Sequence, residues 1–182
     1  MMHPKPKIAW KFTAISLAMA VAACVHQPVA DRPMARASLI DAKGQDSGTI
    51  TIVGMPGKMS MRIDAKGVST GKHGIHLHQI GRCDAPGFES AGPHWNPASR
   101  KHGLGNSNGP HAGDFPNIEA DSAGTVRTSI PLETLELTGG NQPLLDADGA
   151  AVVIHAQADD NMSDLSGNSG PRILCGIVKL AG

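Results

Sequence analysis

Polar and apolar residues alternate with period two in two stretches of the amino-terminal half: Thr49–Val53 reads TITIV and Lys58–Asp64 reads KMSMRID. That period places successive side chains on opposite faces and marks half-buried strands. Ala35–Asp41 has the same strand character, and turn signals at Lys43-Gly44 and Pro56-Gly57 punctuate the three. Gly74–Gln79 predicts a fourth strand. The pattern then stops from Gly81 to Pro116 and resumes at Asn117–Ala120 and Thr125–Leu132, with a turn at Asp121–Gly124. Leu135–Thr138 is a further candidate. Ala150–His155 (AAVVIH) and Cys175–Leu180 (CGIVKL) close the set, with a second polar loop, Ala158–Arg172, between them. No long run has helical period. The sum is about eight short strands and two long loops, an all-β sandwich or barrel.

Composition refines this picture. The 182 residues suit one domain. With three Phe, two Trp and no Tyr, the core must be aliphatic. Sixteen basic and sixteen acidic side chains balance, which gives no reason to propose nucleic acid or an anionic surface as a partner.

The amino terminus predicts export. Lys5, Lys7 and Lys11 precede an apolar run of 12 residues, Phe12–Ala23. A bilayer span takes about 20 residues, so this run fits a signal peptide instead. It ends in Val21-Ala22-Ala23-Cys24, which resembles a bacterial lipoprotein signal. The expectation is a signal peptide over residues 1–23, a tether over 24–34 lipidated at Cys24, and one domain over 35–182. His3 would leave with the signal, and His26 would sit in the tether. The mature protein would lie in the periplasm or cell envelope, held on a membrane by its lipid. Disulfides persist in that compartment. With Cys24 committed to lipid, Cys83 and Cys175 are a candidate pair.

The long gap in strand pattern carries the candidate chemistry. From Gly74 to Asp114 the chain reads GIHLHQIGRCDAPGFESAGPHWNPASRKHGLGNSNGPHAGD, with five histidines. A structureless stretch of that length in a compact domain is functional or disordered, and this one is full of metal ligands. His76 and His78, at i and i+2 on a strand, share a face while Leu77 points into the core. His73 has the opposite parity and reads as structural. His94, His102, His111 and Asp114 form a three-nitrogen, one-carboxylate set suited to a closed tetrahedral zinc site. His155 ends an apolar strand and can complete an all-imidazole site with His76 and His78, which suits copper.

GIHLHQ, SAGPHWNP followed by KHG, HAGD, VVIHAQADD and GNSGPRILCGIVKL together resemble the copper/zinc superoxide dismutase family over roughly Ala35 to Leu180. The resemblance implies an eight-stranded Greek-key β-barrel, a flattened sandwich with two long functional loops. It implies one copper per subunit on His76, His78, His94 and His155, and one zinc on His94, His102, His111 and Asp114, with His94 shared. Asp159 would be the carboxylate that hydrogen-bonds one ligand from each site. Arg172 would lie beside copper, and Cys83 and Cys175 would form the intrasubunit disulfide. Subunit arrangement differs between lineages of the family, a homodimer being among them.

The implied reaction is dismutation of superoxide to dioxygen and hydrogen peroxide. The Ala158–Arg172 loop carries Asp159, Asp160 and Asp164 but no lysine. Arg82, Arg100 and Lys101 are then the candidates for steering an anionic substrate. The rival reading is a copper-binding or copper-storage envelope lipoprotein without turnover, which has no use for Arg172. A zinc hydrolase needs an open coordination position, and the His3Asp set leaves none. A structural module without metal chemistry has no reason to retain every ligand.

Overall fold

A computed structural model of the chain describes residues 1–2, 32–55, 58–132 and 135–182. The expected signal peptide from residue 3 onward, Cys24, most of the tether and the turn at Pro56-Gly57 lie outside the described residues. Ten strands follow in order: β1 (Arg32–Asp41), β2 (Asp46–Met55), β3 (Lys58–Lys66), β4 (Gly71–His73), β5 (Ile75–His78), β6 (Ile118–Ala120), β7 (Thr125–Leu132), β8 (Ala151–His155), β9 (Arg172–Ile177) and β10 (Lys179–Leu180). Gly74 alone separates β4 from β5, and Val178 alone separates β9 from β10. Counted as continuous pairs, these give the eight strands expected.

Beyond small shifts, β2 starts three residues before and ends two after the expected Thr49–Val53, and β4 was not expected; three further differences stand out. β1 takes in Arg32–Met34, which the pattern assigned to the tether. β9 begins at Arg172, so the final strand starts three residues before Cys175. Leu135–Thr138 is not a strand. Its alternation is real, since Leu135 and Leu137 are buried, but its ladder stops at two bonds, Leu144 N to Glu136 O and Leu145 N to Leu137 O.

The main sheet runs β5-β8-β9-β1-β2-β3-β7, with β10 also on β1, and β4 pairs β6 in a second ladder. Every pairing is antiparallel. The chain crosses from one edge of the main sheet to the other between β3 and β5, and returns between β7 and β8. These two crossings make the Greek key, and the β4–β6 ladder curls the sheet into the barrel.

Period two sets the register. Along β3, Met61, Ile63 and Ala65 are buried while Arg62, Asp64 and Lys66 are exposed; a slip of one residue would invert every one of these environments. The inward residues join one aliphatic cluster that includes Leu39, Ile50, Ile52, Leu77, Val126 and Leu174. Strand β8 is buried at every position. Ala151 and Val153, on its outer face, pack against Phe88, Ala91 and Cys175 in a second cluster. The long loop therefore covers β8, which is why AVVIH reads as an unbroken apolar run. The expected disulfide between Cys83 and Cys175 is present and fastens that loop to β9.

Candidate metal centre

Strand β5 supplies the first two imidazoles. His76 and His78 pair with Val153 and Ala151 of β8, while Leu77 enters the core between them. At the end of β8 a register shift between Ile154 and His155 re-aims the His155 ring. The loop that follows β5 lies along its free edge: Leu77 N donates to Gly113 O, Trp95 N to Leu77 O, and Gly113 N to Trp95 O. A Cβ on Gly113 would stand 2.4 Å from Leu77 O, so only glycine permits this approach. The edge pairing carries His94 and Asp114 against His78 and His76.

Two groups of ligand atoms result. His76, His78, His94 and His155 converge in one, and His94, His102, His111 and Asp114 in the other; His94 is common to both, and all seven residues are buried. The hydrogen bonds on the far side of each ring fix its tautomer. His76 Nε2–H donates to Asp159 Oδ2 at 2.7 Å, His78 Nδ1–H to Gly92 O at 2.8 Å, and His155 Nδ1–H to Gly170 O at 3.0 Å. The opposite atoms, His76 Nδ1, His78 Nε2, His94 Nε2 and His155 Nε2, are buried without any hydrogen-bond partner. A buried polar atom without a partner costs about 1–3 kcal/mol. Four such lone pairs aimed at one point fit a cation that prefers imidazole.

The second group fits zinc by its spacing. Asp114 Oδ1 lies 2.9 Å from His94 Nδ1, 3.1 Å from His102 Nδ1 and 3.3 Å from His111 Nδ1. His111 Nδ1 and His94 Nδ1 are 3.4 Å apart. Zinc–nitrogen bonds of about 2.0–2.1 Å in a tetrahedron require edges of about 3.3 Å. These contacts therefore read as edges of a coordination shell. Asp114 Oδ2 faces away and accepts the backbone N–H groups of Gly103 and His111, each at 2.9 Å.

Asp159 bridges the groups, because it also accepts His102 Nε2–H at 3.1 Å. Asn117 holds Asp159 in turn: its Nδ2 donates to Asp159 O and its Oδ1 accepts Asp159 N–H, both at 2.8 Å. Sequence reasoning passed over Asn117, because an asparagine at a strand entrance has no distinguishing spacing. His73 takes no part in either group. It is buried with Nδ1 2.7 Å from His155 O and Nε2 2.8 Å from Ser69 O, a structural role as expected.

Burial, offset in part by neighbouring carboxylates and carbonyls, pulls His94 down to about 4 and His155 to about 3, and lowers His76 and His78. These rings are neutral at pH 7, the form that ligates a metal. His102 is different. Burial pulls it down, but Asp114 and Asp159 outweigh that and push it up to about 9. A cation at Nδ1 would take the place of that proton. For Asp114 burial works upward, and the hydrogen bonds from His102 and His94 prevail, holding it well below the usual carboxylate range.

A channel of about 610 Å³ opens over the all-imidazole group, with His94, His155 and Arg172 in its wall. Arg172 donates to Phe88 O and Gly92 O, each at 2.7 Å, which fixes the guanidinium beside the cluster. Phe88 adopts φ +60° and is fully buried against the disulfide cluster. None of the three steering candidates reaches the channel wall. Arg82 pairs with Asp84, Arg100 donates to Gly109 O, and Lys101 pairs with Asp164. Among the described residues of the wall, Glu89 is the one acid.

An antiparallel barrel with two adjoining histidine-rich groups, a shared imidazole and an arginine-walled channel defines a β-barrel protein with two candidate metal sites. The comparisons sharpen this. A family model described as copper/zinc superoxide dismutase matches residues 46–178. A copper/zinc superoxide dismutase of Aquifex aeolicus is 38% identical over 154 residues, covering 83% of this chain and 90% of its own. One from Caulobacter vibrioides is 40% identical over 139 residues, covering 75% and 80%. The crystal structure of a superoxide dismutase-like protein from Bacillus subtilis superposes with TM-score 0.74 at 37% identity, covering 78% of this chain and 96% of that one. The chain belongs to the copper/zinc superoxide dismutase family.

Proposed function

We propose that the chain is an exported enzyme that converts two superoxide anions and two protons to dioxygen and hydrogen peroxide. Its ligands are His76, His78, His94 and His155 for one copper, and His94, His102, His111 and Asp114 for one zinc. Copper would supply one-electron redox chemistry at the channel floor, and zinc, which has none, would hold the loop. The remaining work falls to the chain. Gly92 O, Gly170 O and Asp159 orient three of the copper-side rings through their second nitrogens. Arg172 presents a permanent cation with directed donors to a small anion. His94 Nε2, buried and facing the channel group, is the atom placed to hold a proton and deliver it to the reduced product.

The observation that carries the reading is the convergence of four partnerless imidazole nitrogens beneath an arginine-walled channel. Arg172 favours turnover over copper storage. The test is metal content measured together with superoxide consumption. Loaded wild type should consume superoxide, and His155→Ala or His76→Ala should abolish this while far-ultraviolet dichroism is kept. An intact, copper-loaded protein without activity would establish storage instead. The same proposal includes a signal peptide over residues 1–23, a tether over 24–34 lipidated at Cys24, and residence in the periplasm or cell envelope. Mass spectrometry of the purified chain should find acyl groups on an amino-terminal Cys24.

A further inference from the structure

A second groove, of about 330 Å³, lies on the outer face of the barrel. Arg36, Ser38 and Ile40 of β1 form one wall, Lys179 and Leu180 of β10 another, and the Cys83–Cys175 disulfide closes one end. The register places Arg36 opposite Lys179 and Ala35 opposite Leu180. Because β1 alternates, Ala35, Ala37 and Leu39 enter the core and Met34, Arg36 and Ser38 stand outward and exposed. No acid is found among the described residues that line the groove. Leu180, in its wall, is 57% exposed, and Met34, 38% exposed, stands at the same end of β1, where Ala181 N donates to Met34 O and the thioether lies toward Gly54 of β2. Paired cations beside exposed apolar side chains suit the boundary between phospholipid headgroups and acyl chains.

The position of the groove names its occupant. β1 begins at Arg32, next to Met34, and residues 24–31 are only eight long. Eight residues span at most about 29 Å. A lipid on Cys24 would hold this end of β1 within that distance of a membrane. The metal channel lies toward the other end: along the chain Arg172 stands three residues, about 10 Å, before Cys175 at the closed end of the groove, and seven residues, about 23 Å, before the cation Lys179. That exceeds the Debye length of about 8 Å at physiological salt. An anionic substrate would be repelled close to an anionic surface, and this orientation keeps the channel clear of it.

We propose that the groove is a docking surface for anionic phospholipid headgroups of the membrane that holds the chain. The proposal rests on the reading of Cys24 as the lipid site. The lipidated full chain, carrying a nitroxide on Ser38→Cys or, as control, on Ser122→Cys, is reconstituted into vesicles. Those vesicles contain either phosphatidylglycerol with phosphatidylethanolamine, or phosphatidylcholine alone, plus a headgroup-bound nickel chelate. Nickel should relax the label at position 38 and not that at 122. The effect should appear on phosphatidylglycerol vesicles alone and vanish in Arg36→Gln/Lys179→Gln. Equal relaxation on both vesicles would keep the anchor and overturn the groove. Loss of the effect in millimolar inorganic phosphate would make it a small-anion pocket, and dipolar coupling between labels on two chains would assign the face to a second copy; either overturns the proposal. A chain recovered without lipid should still sediment with phosphatidylglycerol vesicles, about 25-fold more weakly once both cations are gone, at about five-fold per cation. That result would remove the anchor and retain the groove.

Discussion

Gly167 offers a direct test of whether Asp159 organises both metal groups. Gly167 adopts φ +61°, and a Cβ there would stand 1.7 Å from Asp159 Oδ1 and 2.8 Å from His102 Nε2. In Gly167→Ala the carboxylate cannot stay where it is. Gly44 is the control, because it has φ +74° and nothing within 4 Å of its Cβ position. Alanine in the left-handed region costs about 1–2 kcal/mol by itself, and Gly44→Ala should lose only that. Gly167→Ala should lose the same strain plus at least one charged hydrogen bond, from His76 or His102 to Asp159, at about 1.5–3 kcal/mol. The expected total is about 2.5–5 kcal/mol, read from urea unfolding of the metal-free protein. Loss of a carboxylate that orients ligands also costs about 10–100-fold in metal affinity, read by chelator competition for zinc. Equal unfolding midpoints for the two variants, with wild-type zinc affinity in Gly167→Ala, would refute a bridging role for Asp159.

Other perturbations follow the same network. Cys83→Ser/Cys175→Ser opens a loop with sequence separation 92; the chain-entropy account puts the loss at about 4–5 kcal/mol, visible in non-reducing denaturation. The same variant should bind small anions such as azide more weakly when copper-loaded, because Phe88 O and Gly92 O, which hold Arg172, sit on the freed loop. Asn117→Ala should lower zinc and copper affinity together by several-fold, since it removes both clips on the Asp159 backbone; unchanged affinities would show the clips to be redundant. For the metal-free protein, His94 at about 4 and His155 at about 3 lie below their unfolded value of 6.5. The unfolded chain therefore takes up protons that the folded one refuses. Stability falls as pH drops below 6.5, by about 1.4 kcal/mol per group per pH unit. His102, raised to about 9, contributes stability that is complete below 6.5 and lost as pH rises through 9. The urea midpoint should peak near pH 6.5, and a midpoint that climbs between pH 6.5 and 5 contradicts the assignment.

Strands were legible where one face is core and the other water. Thr125–Leu132 was read to the residue, because turn residues precede it and Val126, Ile130 and Leu132 of one face are buried, with Thr128 between them exposed. Leu135–Thr138 misled for a related reason: alternation reports alternate burial, and Leu135 and Leu137 satisfy it against the core without a strand partner. The outer groove was hidden by a sum. Net charge zero is a property of the whole chain, while Arg36 and Lys179 meet only because β10 pairs β1 at that register.

The site divides along the same physical line. His76 and His78 were legible because an i, i+2 pair on a strand has one geometry. His102, His111 and Asp114 were legible as ligand types, but their spacings specify no shape, and the sharing of His94 rested on resemblance. The acceptors that fix two rings of the all-imidazole group, His78 and His155, were not legible at all, because they are backbone carbonyls, Gly92 O and Gly170 O. A carbonyl within a sheet ladder is already bonded to its neighbour strand, so a fully regular barrel has none to spare for an imidazole. Gly92 has φ +73° and Gly170 φ +75°, a backbone state that glycine reaches at little cost. Each turns a carbonyl of a long irregular loop toward an imidazole, and Gly92 O accepts from Arg172 as well. The two stretches that lacked any strand pattern thus do more than carry ligand-type side chains: their irregular backbone supplies the acceptors that leave His78 and His155 with one partnerless nitrogen each, aimed into the all-imidazole group.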